Sequence, residues 1–215
     1  MIQGLYAITP DTCSPERLNV MVLAAAMGGA RVLQYRRKGA FGKDKLEEAR
    51  AVRKICLEHR VIFVVNDDPM LAGDTEADGL HLGRHDCSIG GARRLLGPSI
   101  LIGMSCYDDL DRARHACSDG ADYVAFGSFF PSLVKPDAAR ASVSLLGEAR
   151  RTLPRPLVAI GGITIENASV LIHAGADAVA VISDLFNASD VKARAADYAD
   201  LFARILSEPS RKETT

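Results

Sequence analysis

No run of about 18 apolar residues occurs in this chain, so no transmembrane helix is expected. The opening Met1–Tyr6 enters a strand at once and lacks a signal-peptide layout. None of the five cysteines (Cys13, Cys56, Cys87, Cys106, Cys117) forms a CxxC pair. That argues against a disulfide framework or structural zinc site, and for a reducing, cytoplasmic location. Charge of one sign is lacking too. The formal net charge is −1, and so weak a global field points away from nucleic acid or an anionic membrane as partner. No glycine-rich dinucleotide fingerprint follows the first strand, which disfavours a doubly wound open sheet.

What is present is local clustering of charge. The stretch Val32-Leu33-Gln34-Tyr35-Arg36-Arg37-Lys38 reads as a strand. Strand side chains alternate between faces, so Gln34, Arg36 and Lys38 share one face while Leu33, Tyr35 and Arg37 share the other. Unpaired buried charge is costly, and two cations with an amide suit phosphate oxygens. With 215 residues, 48% of them hydrophobic, the chain suits a single domain with a sizeable core, drawn over 1–207, with a disordered tail expected from Glu208.

Eight short apolar runs alternate with helical stretches: 5–9, 32–38, 61–65, 79–83, 100–105, 123–127, 157–162 and 178–183. Ser14-Pro15-Glu16 reads as a helix start and Gly28-Gly29 as its stop. Asp68, directly before Pro69, reads as another helix cap. An internal echo (Gly29-Ala30-Arg31, Glu76-Ala77-Asp78, Gly120-Ala121-Asp122, Gly175-Ala176-Asp177) introduces every even-numbered strand. The expected fold is an α/β closed (β/α)8 TIM barrel.

In such a barrel, chemistry collects where the strands end. Asp67 and Asp86 follow neighbouring strands, and two carboxylates with phosphate oxygens are a usual seat for Mg2+. Arg36, Lys38 and Lys135, with Asn66 and Ser105, would wrap a diphosphate, whose departure concentrates negative charge. Gly161-Gly162 and Ile182-Ser183 follow the last two strands, the barrel's customary site for a phosphate monoester. His81 and His85 read as packed or exposed residues, and Cys106 lacks an evident base.

Together these residues resemble the thiamine-phosphate synthase family. The resemblance is carried by the 33–38 run, Val65-Asn66-Asp67-Asp68, Asp78–Gly83 with Asp86, and Ile102–Ser105. It continues through Gly120–Val124, Phe130-Pro131-Ser132, Ala159–Ile163, Gly175-Ala176-Asp177 and Val181-Ile182-Ser183. It implies that Gln34, Tyr35, Arg36, Arg37, Lys38, Asn66, Ser105 and Lys135 bind an aminopyrimidine diphosphate, with Arg36, Lys38, Ser105 and Lys135 closest to the chemistry. It implies Mg2+ on Asp67 and Asp86. It implies a thiazole phosphate on Ser132, Leu133, Val134, Gly162, Ile182 and Ser183. The implied partners are these small molecules alone, with no nucleic acid and no membrane; homo-oligomerisation is left open. One departure stands out. After Phe130-Pro131 the family usually has two hydroxyl residues flanking a spacer, then lysine; here Val134 replaces the second hydroxyl. Weaker binding of one substrate is the expectation. Two alternatives remain: a thiazole phosphate isomerase of the same fold, which needs no diphosphate site, and a non-catalytic phosphate-ligand sensor.

Overall fold

The computed structural model describes residues 1–11, 13–37, 42–131 and 140–208. Eight parallel strands form a closed barrel in sequence order. They are β1 (Gly4–Ile8), β2 (Val32–Tyr35), β3 (Ile62–Asn66), β4 (Gly79–Leu82), β5 (Leu101–Tyr107), β6 (Tyr123–Phe126), β7 (Leu157–Ile160) and β8 (Ala178–Val181). Closure is made by β1 on β8, with Gly4 opposite Ala178 and Ala7 opposite Val181. That pairing rules out the open sheet.

Helices α1 (Pro15–Met27), α2 (Gly42–Glu58), α3 (Pro69–Asp74), α4 (Ile89–Leu96) and α5 (Leu110–Ser118) cover the first half. The second half carries α6 (Val143–Thr152), α7 (Ile165–His173), a short α8 (Ser183–Phe186) and α9 (Val191–Ser207). Local chemistry sets the helix starts. The Ser14 hydroxyl accepts from Arg17 N at 3.3 Å, and the Asp68 carboxylate accepts from Leu71 N at 3.0 Å, each satisfying an N–H that the first turn leaves open. Among the described residues no helix is long and apolar enough to cross a membrane.

The strands are buried on both faces, which divides the core into two layers. Odd-numbered positions of β2, such as Leu33 and Tyr35, pack outward against the helices with Phe63, Leu80 and Ile102. Tyr6, Val32, Val64, Tyr123, Val158 and Ala180 fill the barrel interior. The expected strand over 32–38 is shorter than its pattern suggests. It stops at Tyr35 because the Thr9 hydroxyl takes over the next backbone groups, accepting from Arg36 N at 2.8 Å and donating to Arg36 O at 2.9 Å. Conversely, β5 runs two residues past Ser105, with a register shift between Ser105 and Tyr107.

The repeated joints have a structural meaning. Asp78, Asp122 and Asp177 each stand just before an even strand and clasp the preceding odd one. Each donates its backbone N–H to the carbonyl of Phe63, Ile102 or Leu157. Each carboxylate accepts the N–H of that same residue at 2.8 Å. Each also receives an arginine: Arg53 at 3.1 Å, Arg93 at 2.6 Å and Arg150 at 2.8 Å. In the first joint Arg31 stands in place of the aspartate, and only its backbone bond to Leu5 O, 3.0 Å, repeats the pattern. These clasps lie where strands begin, opposite the rim where chemistry is expected.

Candidate active site at the strand ends

The inward face of β2 aims Gln34 and Arg36 into a cavity of about 460 Å3. Asn66, His81, Ser105, Gly161, Gly162, Ile182 and Ser183 also line it. Residues expected at both anion sites therefore share one space. A second cavity of about 320 Å3 opens beside β2 and β3, lined by Arg36, Lys45, Asn66, Asp67 and Asp68 among others. Arg36 and Asn66 border both, so the two spaces adjoin there.

Arg36 is held in place by Asp11, 2.6 Å from its guanidinium, and both groups are largely buried. Its neighbour points away, as strand alternation requires. Arg37 donates to Glu48 at 3.0 Å, to Asp11 O and to Cys13 O, and the Tyr35 hydroxyl donates to Glu48 at 2.8 Å. Tyr35 and Arg37 thus line the smaller cavity with their polar tips already engaged by α2 and the loop before α1. Lys38 and the run Ser132, Leu133, Val134 and Lys135 lie outside the described residues.

Asp67 sits at φ +62°, in the left-handed region that aspartate tolerates better than most residues. Its N–H donates to His81 O at 2.9 Å, stitching the end of β3 to β4. Asp86 accepts from Gly83 N at 2.6 Å, which folds its loop back over β4. The Asp86 carboxyl stands near enough to act on the charge of Asp67. Burial, then the Asp86 contact and charge, push the Asp67 carboxyl up to about 6, against the pull of Asn66 and Arg36. Two carboxylates this close need a shared proton or a cation between them. Among the described residues no cluster of three or more His, Cys, Asp or Glu side chains surrounds a common point. Two carboxylate donors are the kind of oxygen ligand a hard divalent cation takes, and such an ion here would need its remaining ligands from elsewhere.

The opposite wall is backbone. Gly162 has φ +63°, and a side-chain carbon there would lie 2.3 Å from Pro131 O; only glycine allows this close approach. Ser183 opens α8, whose first N–H groups have no partners within the helix. The nearby Asp184 carboxylate does not oppose an anion there, because Arg194 holds both its oxygens at 2.9 Å and the Tyr198 hydroxyl donates to it at 2.8 Å.

Beneath the cavity the barrel interior holds a line of polar atoms that pattern reading missed. Gln34 Nε2 donates to the Tyr6 hydroxyl at 3.0 Å. The Tyr6 and Tyr123 hydroxyls lie 2.9 Å apart. His81 Nδ1 is 3.0 Å from the Tyr123 hydroxyl, and His81 Nε2 is 2.9 Å from Ser105 Oγ. His81 is thus a buried, doubly bonded residue, whereas His85 is exposed. The available signal was two tyrosines at inward positions of strands, since a buried phenol needs a partner. Gly103 makes room for the line: a side-chain carbon there would sit 2.0 Å from the Tyr123 ring. Cys106 is buried, and burial raises its thiol to about 12, which disfavours the thiolate a nucleophile needs.

A closed barrel with a cation and backbone N–H groups around one cavity, and carboxylates beside it, is the frame of an enzyme for small anionic substrates. Comparison with known proteins narrows the class. Residues 5–185 match the family described as thiamine monophosphate synthase. The chain is 51% identical over 201 residues to the thiamine-phosphate synthase of Methylobacillus flagellatus, covering 94% of this chain and 96% of that one. It is 50% identical over 202 residues to that of Azoarcus sp., covering 94% and 98%. The solved thiamine phosphate pyrophosphorylase from Pyrococcus furiosus superposes with a TM-score of 0.86 at 32% identity, covering 95% of this chain and 97% of that one. This chain belongs to the thiamine monophosphate synthase family and is an enzyme of the transferase class.

Proposed function

We propose that the protein joins 4-amino-2-methyl-5-(diphosphooxymethyl)pyrimidine to 4-methyl-5-(2-phosphooxyethyl)thiazole, with the thiazole carboxylate phosphate as the natural form. The products are thiamine phosphate and diphosphate, with carbon dioxide released as well when the carboxylate form reacts. The observation that carries this reading is one cavity bordered by Gln34, Arg36 and Asn66 on one side and by Gly162 and Ser183 on the other, with Asp67 lining the space that adjoins it at Arg36 and Asn66. One wall suits a metal-bound diphosphate, and the other a phosphate monoester.

The C–O bond to diphosphate breaks and its electron pair leaves with the oxygen. The electron-rich aminopyrimidine steadies the CH2 cation, and the thiazole nitrogen lone pair then forms the new C–N bond. No general base is needed, because that nitrogen carries no proton. Arg36 meets the charge that builds on the leaving group, and Lys38 and Lys135 would add to it. Mg2+, held by Asp67 and Asp86, would supply further charge neutralisation. Gln34, Asn66 and Ser105 orient the pyrimidine, and the Gly162 and Ser183 backbone holds the thiazole phosphate, so that the reacting atoms meet.

The test is to supply both substrates with Mg2+ and follow thiamine phosphate and diphosphate together. Equal appearance of both, abolished by EDTA and by Lys135→Ala, is expected. Diphosphate without thiamine phosphate would place the defect in the thiazole site. Neither product, with binding of the thiazole phosphate alone, would refute the reading and favour the isomerase or the sensor.

A further inference from the structure

The polar line inside the barrel has a direction. Each phenol carries one proton, and a neutral imidazole carries one between its two nitrogens. Once Gln34 donates to Tyr6, the Tyr6 proton passes to Tyr123, the Tyr123 proton to His81 Nδ1, and the remaining imidazole proton from Nε2 to Ser105 Oγ. The Ser105 hydroxyl, accepting from below, is then set to donate to a ligand, while the Gln34 carbonyl is set to accept. Turning the Gln34 amide over reverses every bond: Gln34 then presents a donor and Ser105 an acceptor. In either sense the two ends have opposite character.

We propose that Tyr6, Tyr123 and His81 are positioning residues that keep Gln34 and Ser105 complementary to each other, so that the cavity selects a ring edge bearing one donor and one acceptor. An aminopyrimidine has that edge, with an amino N–H beside a ring nitrogen. This rests on the function proposed above and adds the origin of its ring selectivity. Burial supports the line, because Tyr6 and Tyr123 are fully enclosed and desolvation drives both hydroxyls far above their ordinary pKa. Both stay protonated and able to pass a bond along. Chains of this kind also polarise one another, so their ends are coupled.

Tyr123→Phe keeps the ring and cuts the line at its middle. Its effect is read by steady-state kinetics and by competitive inhibition with two alcohols: 4-amino-5-hydroxymethyl-2-methylpyrimidine and its 4-methoxy counterpart, whose edge has two acceptors. The wild-type protein should favour the amino compound at least tenfold. In Tyr123→Phe that preference should fall at least fivefold. KM for the pyrimidine diphosphate should rise about tenfold, and KM for the thiazole phosphate should stay within twofold. His81→Asn, which keeps a group near Nδ1 and loses the bond to Ser105, should lose the same preference. It carries the test if Tyr123→Phe does not fold. A purely structural line predicts lower melting temperature with the preference intact; that result, with normal wild-type turnover, overturns the proposal alone. A wild-type protein that makes no thiamine phosphate overturns the function, and this inference with it.

Discussion

Replacing Asp122 by alanine separates the two ends of the barrel. Its carboxylate accepts from Ile102 N at 2.8 Å and from Arg93 at 2.6 Å. Hydrogen bonds to a charged group contribute about 1.5–3 kcal/mol each. The ion pair is about a quarter exposed on both sides, so its share is discounted for solvent screening. Arg93 also retains its bonds to Pro98, Ile100 and Gly120 carbonyls. The main loss is the partner of the Ile102 N–H at the start of β5, for a total of about 2–3 kcal/mol. For a chain of this size that lowers Tm by about 4–12 °C. Asp122→Asn keeps an acceptor for Ile102 and should cost about 1 kcal/mol. Urea melts and thermal scans measure the loss. Turnover at a temperature where the variant is folded should match wild type, because the clasp lies at the far end from the cavity. A variant of unchanged stability but reduced kcat/KM would refute this division between a stabilising base and a reacting rim.

Gly162→Ala should raise KM for the thiazole phosphate at least tenfold, because the new carbon would collide with Pro131 O; initial rates at varied thiazole phosphate check this. Asp67→Asn should lower turnover at least tenfold, yet raise thermal stability by up to about 1 kcal/mol in metal-free buffer, since it removes one of two crowded acids whose repulsion solvent partly screens. Alkylation at pH 8 followed by mass spectrometry should label exposed Cys87 first and leave Cys56 and Cys106, both pushed up to about 12 by burial, unlabelled until the protein unfolds. Val134→Thr should lower KM for one of the two substrates; identical constants would show that the missing hydroxyl carries no weight.

Much of this was legible in the sequence because it depends on local chemistry. Ser14, Asp68 and the Gly28-Gly29 stop marked helix ends, and the recurring joints built around alanine and, in three of four, aspartate marked every second strand. The alternation of Gln34 and Arg36 against Tyr35 and Arg37 followed from strand period, and the structure keeps it even though the ladder ends at Tyr35. The early end was not legible, because it depends on Thr9, 27 positions away. Nor was the line of Tyr6, Tyr123 and His81. Tyr6 and Tyr123 are separated by 117 positions, and nothing in either local sequence says that two phenols will meet inside a barrel. Tyr123 also needs Gly103 on the neighbouring strand, a requirement visible only once register is known.

The line that joins Gln34 to Ser105 also acts as a cross-brace. Ladder bonds run around the barrel wall and resist strands sliding apart, but they do little to stop opposite walls from breathing. A chain of side chains from β2 through β1, β6 and β4 to β5 ties those walls through the middle. The floor of the cavity is therefore stiffened as the barrel folds, and its conformational entropy is lost then. A ligand that lands on it meets groups already in place, and more of its contact energy is left to hold it there.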